Sequence, residues 1–212
     1  MLKNISIIIC YSYFHQIPPL GLKSEIVINK DEHPRPDATM EQLSKLPSVK
    51  EGGVTTPGNA SGLNDGASAV LMMSEDMAKQ LGYTPIARWL GSAEYGVDPR
   101  MMGISPAYSN ETLLKRFGLS LSDIDVFECN EAFAAQNLSV IREMENRMGG
   151  TIDMARWNPH GGAIAFGHPN GASGTRIAAF AMKHLQDVNG RYGIFCSCCG
   201  GGQGVSTLIE RI

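Results

Sequence analysis

The chain has 212 residues, 43% of them hydrophobic, with 18 Lys+Arg against 21 Asp+Glu and a formal net charge of -3. This is the balance of a globular protein of one or two domains, and it excludes a disordered or collagen-like chain. It supplies neither the field nor the local basic run that would gather nucleic acid or an anionic membrane, and an odd set of 5 Cys, three of them crowded as Cys196, Cys198 and Cys199, fits a reducing, cytoplasmic setting better than a disulfide-stapled secreted one.

Residues 1–37 read irregularly. The apolar run over 5–10 resembles a short signal core, but Tyr11, Ser12, His15 and Gln16 interrupt it and no small-residue cleavage site follows; it reads as a stray apolar segment or an adventitious strand. Nothing approaches the roughly 18 apolar residues of a membrane span. Thr39 and Gln42 have the spacing of a capping box, which predicts a helix over 39–46 that Pro47 stops. A glycine-rich loop over 55–66 precedes a buried strand over 67–73. A helix over 75–81 follows, capped by Ser74 and closed by Gly82, and then a strand over 86–90.

A helix over 111–117 ends at Gly118. The strand over 124–127 leads through Glu128, Cys129 and Asn130 into a helix over 132–148. After a polar loop over 149–162 and a glycine-rich segment over 163–171, a helix over 172–185 places Ile177, Phe180, Ala181 and Leu185 on one stripe. Strands over 192–197 and 204–209 finish the chain. Strands alternating with helices predict an α/β layered fold.

The 24 Gly concentrate in four patches, and topology brings several of these together. In a strand-helix-strand unit the loop leaving one strand feeds a helix, and the next strand returns to the same sheet edge. This predicts Asn130, His168 and Cys198 on one rim, with His168 beside Cys198. A thiol near a helix amino terminus and an imidazole can have its pKa lowered from about 8.5 into the range of about 3.5 to 7.5. The amides of Gly200, Gly201 and Gly202 can approach an oxyanion without side-chain obstruction. Together these features suggest acyl or carbanion chemistry.

Each residue also has a plainer reading. His168 could be a loop histidine held by backbone, and Asn130 a helix N-cap. Cys198 could be a buried structural thiol, or a metal ligand with Cys196 and Cys199, although a zinc site normally takes four N or S ligands and no second pair stands at suitable spacing. Ser61 suits an ordinary turn, and Met102, beside Met101, suits a gap-filling core position. The run over 200–204 lacks both the Lys-Ser/Thr of a nucleotide loop and the spacing of a dinucleotide fingerprint.

Three segments, Asn130-Glu131-Ala132-Phe133-Ala134-Ala135-Gln136, the run Gly161-Gly162-Ala163-Ile164-Ala165-Phe166-Gly167-His168-Pro169-Asn170-Gly171-Ala172-Ser173-Gly174, and Cys198-Cys199-Gly200-Gly201-Gly202-Gln203-Gly204, resemble motifs of the thiolase family. Gly58-Asn59-Ala60-Ser61-Gly62-Leu63-Asn64-Asp65-Gly66 resembles a fourth, and the order is the family's. The resemblance implies a thiolase-like layered α/β fold: a complete carboxyl-terminal domain over 86–212, the last strand and helix of the amino-terminal domain over 63–85, and the end of a loop domain over 25–62. Residues 1–24 are left as an unassigned leader.

It further implies an acyltransferase of the acetyl-CoA acetyltransferase type, making or breaking the carbon-carbon bond of 3-oxoacyl-CoA, with coenzyme A thioesters as substrates and no permanently bound cofactor or metal. His168 would activate the acyl-accepting cysteine and, with a water on Asn130, bind the thioester oxygen. Cys198 would exchange the α-proton, and the Gly200 amide would help hold an oxyanion. Ser61 and Leu63 would border the pantetheine, and Ala132, Phe133 and Met102 the acyl group.

The chain departs from the family in lacking a Cys-x-Ser-Gly segment for the nucleophile; neither Cys10 nor Cys129 substitutes. His160 also stands where thiolases often have Asn, and the stretch 137–160 is longer than in the common short form. The reading is therefore roughly the second half of a thiolase, either a truncated chain or one acting with a separately encoded amino-terminal half, and a homo-oligomer when complete. The alternatives are a catalytically inactive CoA-binding fragment and a pseudogene product. Asn130 favours the ordinary thiolase over ketosynthases, which use two histidines.

Overall fold

A single mixed sheet organises the computed structural model, which describes residues 5–11, 31 and 33–212. Its strands are β1 (Ile5–Tyr11), β2 (Ala69–Ser74), β3 (Ala87–Gly96), β4 (Val126–Cys129), β5 (Tyr192–Cys199) and β6 (Gln203–Arg211). Their order across the sheet is β2-β1-β3-β6-β5-β4. β4 and β5 run parallel, and the other neighbouring pairs are antiparallel. The apolar run over 5–10 is thus a strand, inserted between β2 and β3.

The short helices begin and end where their capping residues stand. In α1 (Met40–Ser44) Thr39 and Gln42 close a reciprocal capping box, which satisfies two orphan amide donors. α2 (Glu75–Leu81) starts on the Ser74 hydroxyl and stops at Gly82, whose φ of 71° is left-handed. α3 (Ser105–Phe117) stops in the same way at Gly118. It begins six residues earlier than periodicity predicts, because Pro106 suits a first helical turn and its buried face carries Ser109 and Asn110 in place of apolar residues. The Ser109 and Ser206 hydroxyls pair at 2.6 Å, and Asn110 Nδ2 donates to Met144 Sδ at 3.4 Å and to Cys196 Sγ at 3.5 Å, while Asn110 Oδ1 is buried without a hydrogen-bond partner among the described residues.

α4 (Ala134–Met148), α5 (Ala163–Phe166) and α6 (Ser173–Asp187) complete the α-helices among the described residues. Phe133, with extended backbone, occupies the N-cap of α4, so the helix starts two residues later than predicted and Asn130 is not its cap. β5 runs through Cys199, so Cys198 lies within the strand rather than beyond it.

Helices cover both faces of the sheet. Leu113 and Leu114 of α3 and Val140, Ile141 and Met144 of α4 bury against Phe127, Ile194 and Leu208, with Phe127 stacked on Trp157 at 5.6 Å between centroids. On the opposite face Ala181, Met182 and Leu185 of α6 pack on Ala87, Val126 and Ile209. β4 is buried at all four positions, as a strand of a parallel pair covered on both faces must be. Leu113 has no exposed surface, so Leu113→Ala should cost about 2 to 5 kcal/mol, read from the shift of the urea midpoint at unchanged m-value. A loss below about 1 kcal/mol would contradict this packing.

Candidate active site

The site grows from the carboxyl ends of the parallel pair. Asn130 continues the ladder one residue past β4, its N–H donating to the Cys196 carbonyl at 2.9 Å. Asn158 brackets the preceding residue: its Oδ1 accepts from the Cys129 N–H at 2.8 Å and its Nδ2 donates to the Cys129 carbonyl at 3.0 Å. Asn137 Nδ2 donates to the Asn130 carbonyl at 3.2 Å, while its Oδ1 accepts from Trp157 Nε1 at 2.8 Å. The backbone of Asn130 is thereby fixed before any ligand arrives, which is what a preorganised polar site requires.

Two glycine-rich loops then close on it. The His168 N–H donates to the Gly62 carbonyl at 3.0 Å, the Ser61 N–H to the Ala132 carbonyl at 2.9 Å, and the Ala134 N–H to the Asn59 carbonyl at 2.9 Å. Gly167, at a φ of 85°, stands where a Cβ would collide with the Asn64 side chain, and at Gly162 one would strike Glu131. These approaches exclude any larger residue. The two glycine-rich loops and the segment that follows β4 are therefore joined through main-chain hydrogen bonds.

At their junction His168 Nε2 lies 3.3 Å from Asn130 Nδ2 and His168 Nδ1 lies 2.7 Å from Ser173 Oγ. Arg176 Nη2 donates to Asn130 Oδ1 at 3.3 Å. Burial, reinforced by the Arg176 charge, pushes the imidazole below its ordinary pKa, which favours the neutral, basic form at neutral pH.

The imidazole nitrogens engage Asn130 and Ser173, and the structure corrects one expectation for Cys198. Burial pushes the Cys198 thiol up to about 11 instead of lowering it, since desolvation penalises the thiolate. Cys198 faces Gly204 across the β5–β6 pair. Gly200 is exposed in the connecting turn, where Gly201 and Gly202 have φ values of 82° and 89°.

The remaining predicted residues divide. Ser61, Ala132 and Phe133 are brought together by the loop contacts, with an isolated bridge between Ala60 and Phe133. Leu63 is nearby in sequence but 91% exposed. Met102 is half-buried in a 3-10 turn (Pro99–Ile104), with its carbonyl accepting from Ser105 Oγ at 2.7 Å. Gln136 Nε2 donates to the Gly103 carbonyl at 3.1 Å and so ties that turn to α4. A cleft of about 550 Å³ adjoins this region, lined by His33, Arg35, Leu43, Pro57, Ala60 and Ile164 among others.

Sequence reasoning missed Asn137, Asn158, Ser173, Arg176 and Glu128. The signal for Arg176 was its place on the inward stripe of α6, where it is only 2% exposed. Glu128 is wholly buried in β4, with neither carboxylate oxygen hydrogen-bonded among the described residues. Burial raises its pKa to about 8, with Arg176 opposing the shift. His160 lies outside the cluster, edge-on to His184 and Phe180.

Residues 83–211 match the family model described as Thiolase, C-terminal domain, and residues 12–76 match that described as Thiolase, N-terminal domain. The chain belongs to the thiolase family. The second thiolase match begins ahead of residue 25, where the motif resemblance starts. The chain is 47% identical over 202 residues to the 3-oxoadipyl-CoA/3-oxo-5,6-dehydrosuberyl-CoA thiolase of Escherichia coli, covering 93% of this chain and 49% of that protein. It is 44% identical to the β-ketothiolase BktB of Cupriavidus necator, covering 99% and 53%. Human mitochondrial 3-ketoacyl-CoA thiolase in complex with CoA superposes with a TM-score of 0.80 at 47% identity, covering 86% of this chain and 45% of that one. The chain thus spans about half the length of the thiolases it matches.

Glu128 makes stability depend on pH. Its folded pKa of about 8 lies above the ordinary 4.5, so the folded state binds the proton more tightly, and the contribution is full below about 4.5 and lost as pH rises through 8. Compared with Glu128→Gln, the wild-type melting temperature should fall between pH 5 and 9, by the equivalent of roughly 4 kcal/mol at about 1.4 kcal/mol per unit. Parallel profiles for the two proteins would refute the assignment.

Proposed function

We propose that this chain carries the enolate-forming side of a thiolase site, acting on acetyl-CoA, acetoacetyl-CoA or a longer 3-oxoacyl-CoA. The observation that carries the reading is the meeting of Asn130 Nδ2 and His168 Nε2 at 3.3 Å, on loops fixed by their own main-chain hydrogen bonds. Asn130, with a bound water, and His168 hold the thioester oxygen while Cys198 exchanges the α-proton, the acidity of which depends on stabilising the enolate. The Gly200 amide contributes to an oxyanion site. Ser61 and Leu63 border the pantetheine, Ala132, Phe133 and Met102 the acyl group, and the cleft beside Ala60, with His33 and Arg35 in its lining, takes the nucleotide end of CoA.

The Cys198 pKa of about 11 suits proton donation at neutral pH, the need of the cleavage direction. The acylated thiol of the complete reaction comes from a Cys-x-Ser-Gly segment supplied in trans or by sequence beyond these residues, and a homo-oligomer is the expected assembly. Free thiols at Cys129, Cys196, Cys198 and Cys199 support a reducing setting such as the cytoplasm. A second reading, a CoA-binding module without chemistry, draws on the same high pKa of Cys198 and its lack of pairing with the imidazole.

Exchange of the acetyl-CoA methyl protons in D2O, followed by proton NMR, separates the two without requiring the nucleophile. The wild type should exchange them faster than buffer, with a rate rising about tenfold per pH unit between 7 and 9 as the thiolate fraction grows. Cys198→Ala and His168→Ala should each lose about 10²- to 10⁴-fold, and Asn130→Ala about 10²- to 10³-fold. Saturable acetyl-CoA binding without exchange would establish the second reading. Undiminished exchange in Cys198→Ala and His168→Ala would overturn the first.

A further inference from the structure

We infer that Arg176 is a positioning residue, setting the direction of a hydrogen-bond chain through Asn130 so that neutral His168 carries its proton on Nδ1 and keeps Nε2 as an acceptor. A guanidinium only donates. Because Arg176 Nη2 contacts one oxygen-bearing end of the Asn130 amide at 3.3 Å, that end is Oδ1, and the NH2 end faces the imidazole at 3.3 Å. An NH2 group is likewise only a donor, so His168 Nε2 must accept and the ring proton sits on Nδ1. From there it donates to Ser173 Oγ at 2.7 Å, whose own hydroxyl donates to the Pro169 carbonyl at 3.2 Å. Each link from Arg176 Nη2 to that carbonyl thus pairs one donor with one acceptor.

Arg176 is well held for this task. Its guanidinium lies 5.2 Å from the Phe180 ring centroid and 5.9 Å from that of Phe166, and its charge acts with Glu128 and Glu131. Among the described residues its Nε and Nη1 are buried without hydrogen-bond partners. A guanidinium placed merely to neutralise Glu128 would be expected to pair with it, yet both Glu128 oxygens are also unbonded. The hydrogen bond it does make is the one that orients Asn130.

The consequence is chemical. An imidazole with a bare Nε2 takes the proton of an approaching thiol at that atom, leaving a thiolate, and then presents an Nε2–H to the thioester oxygen. The same atom serves first as base and then as oxyanion donor. This deepens the proposed reaction, but the protonation pattern is measurable without turnover, so the two can fail separately.

The test is the tautomer of His168 in the full chain labelled with ¹⁵N-histidine, read from proton–nitrogen multiple-bond correlations at neutral pH, with the His168 signals assigned by their loss in His168→Gln. The wild type should show the Nδ1–H form. Arg176→Gln, which can offer Asn130 either end of its amide, should move the population toward Nε2–H, and Arg176→Lys, which restores a donor-only cation, should return it. A wild-type Nε2–H form would overturn the inference at once. So would an Nδ1–H form retained in a folded Arg176→Gln protein with an unchanged thermal transition. If Arg176→Gln does not fold, Asn130→Asp decides: a carboxylate that only accepts should force Nε2–H, and retention of Nδ1–H there would refute the chain.

Discussion

The parallel pairing of β4 with β5, carried one residue further by the Asn130 N–H on the Cys196 carbonyl, is the contact on which the rest of the site depends. It places a buried polar side chain at the end of a strand covered on both faces, where water cannot compete for its hydrogen bonds. Unsatisfied groups in such a place are costly; Asn137 and Asn158 satisfy the backbone of Asn130 and the adjoining Cys129, and Trp157 holds Asn137 through its indole N–H. The rigidity of the site thus comes from the sheet and from the side chains that hold the backbone at its edge.

Glycine makes the second part of the arrangement possible. The loop carrying His168 and the loop carrying Ser61 approach closely enough for main-chain hydrogen bonds because Gly162 and Gly167 leave room for Glu131 and Asn64. Electrostatics sets the third part. Burial lowers the pKa of His168 and raises that of Cys198, which favours a neutral imidazole and a protonated thiol at neutral pH.

Much of this was legible in the sequence, for identifiable reasons. Capping signals at Thr39 and Gln42, at Ser74 and Gly82, and at Gly118 act over a few residues, so helix ends could be read locally. Asn130 and His168, which do meet, could be placed on one rim because strand-helix-strand connectivity leaves little choice of geometry. What could not be read depends on long-range packing. The early start of α3 was hidden by Ser109 and Asn110, polar residues whose partners Ser206, Met144 and Cys196 are distant in sequence. The Cys198 environment was misjudged because proximity along the fold gave no measure of desolvation. Arg176 and Ser173 lay on a helix face that looked like ordinary core, and the place of β1 between β2 and β3 rests on pairing that no local pattern encodes.

The central claim is that the site is already built by the main chain in the absence of ligand. Amide hydrogen exchange of the free protein tests it most directly. The N–H groups of Asn130, His168 and Ser61, which donate to Cys196, Gly62 and Ala132, should be protected to a degree approaching that of the amides of β6, which is paired on both sides. Exchange of those three amides at the rates of an open loop, with β4 and β5 still protected, would mean that the loops are not preassembled and would contradict the account.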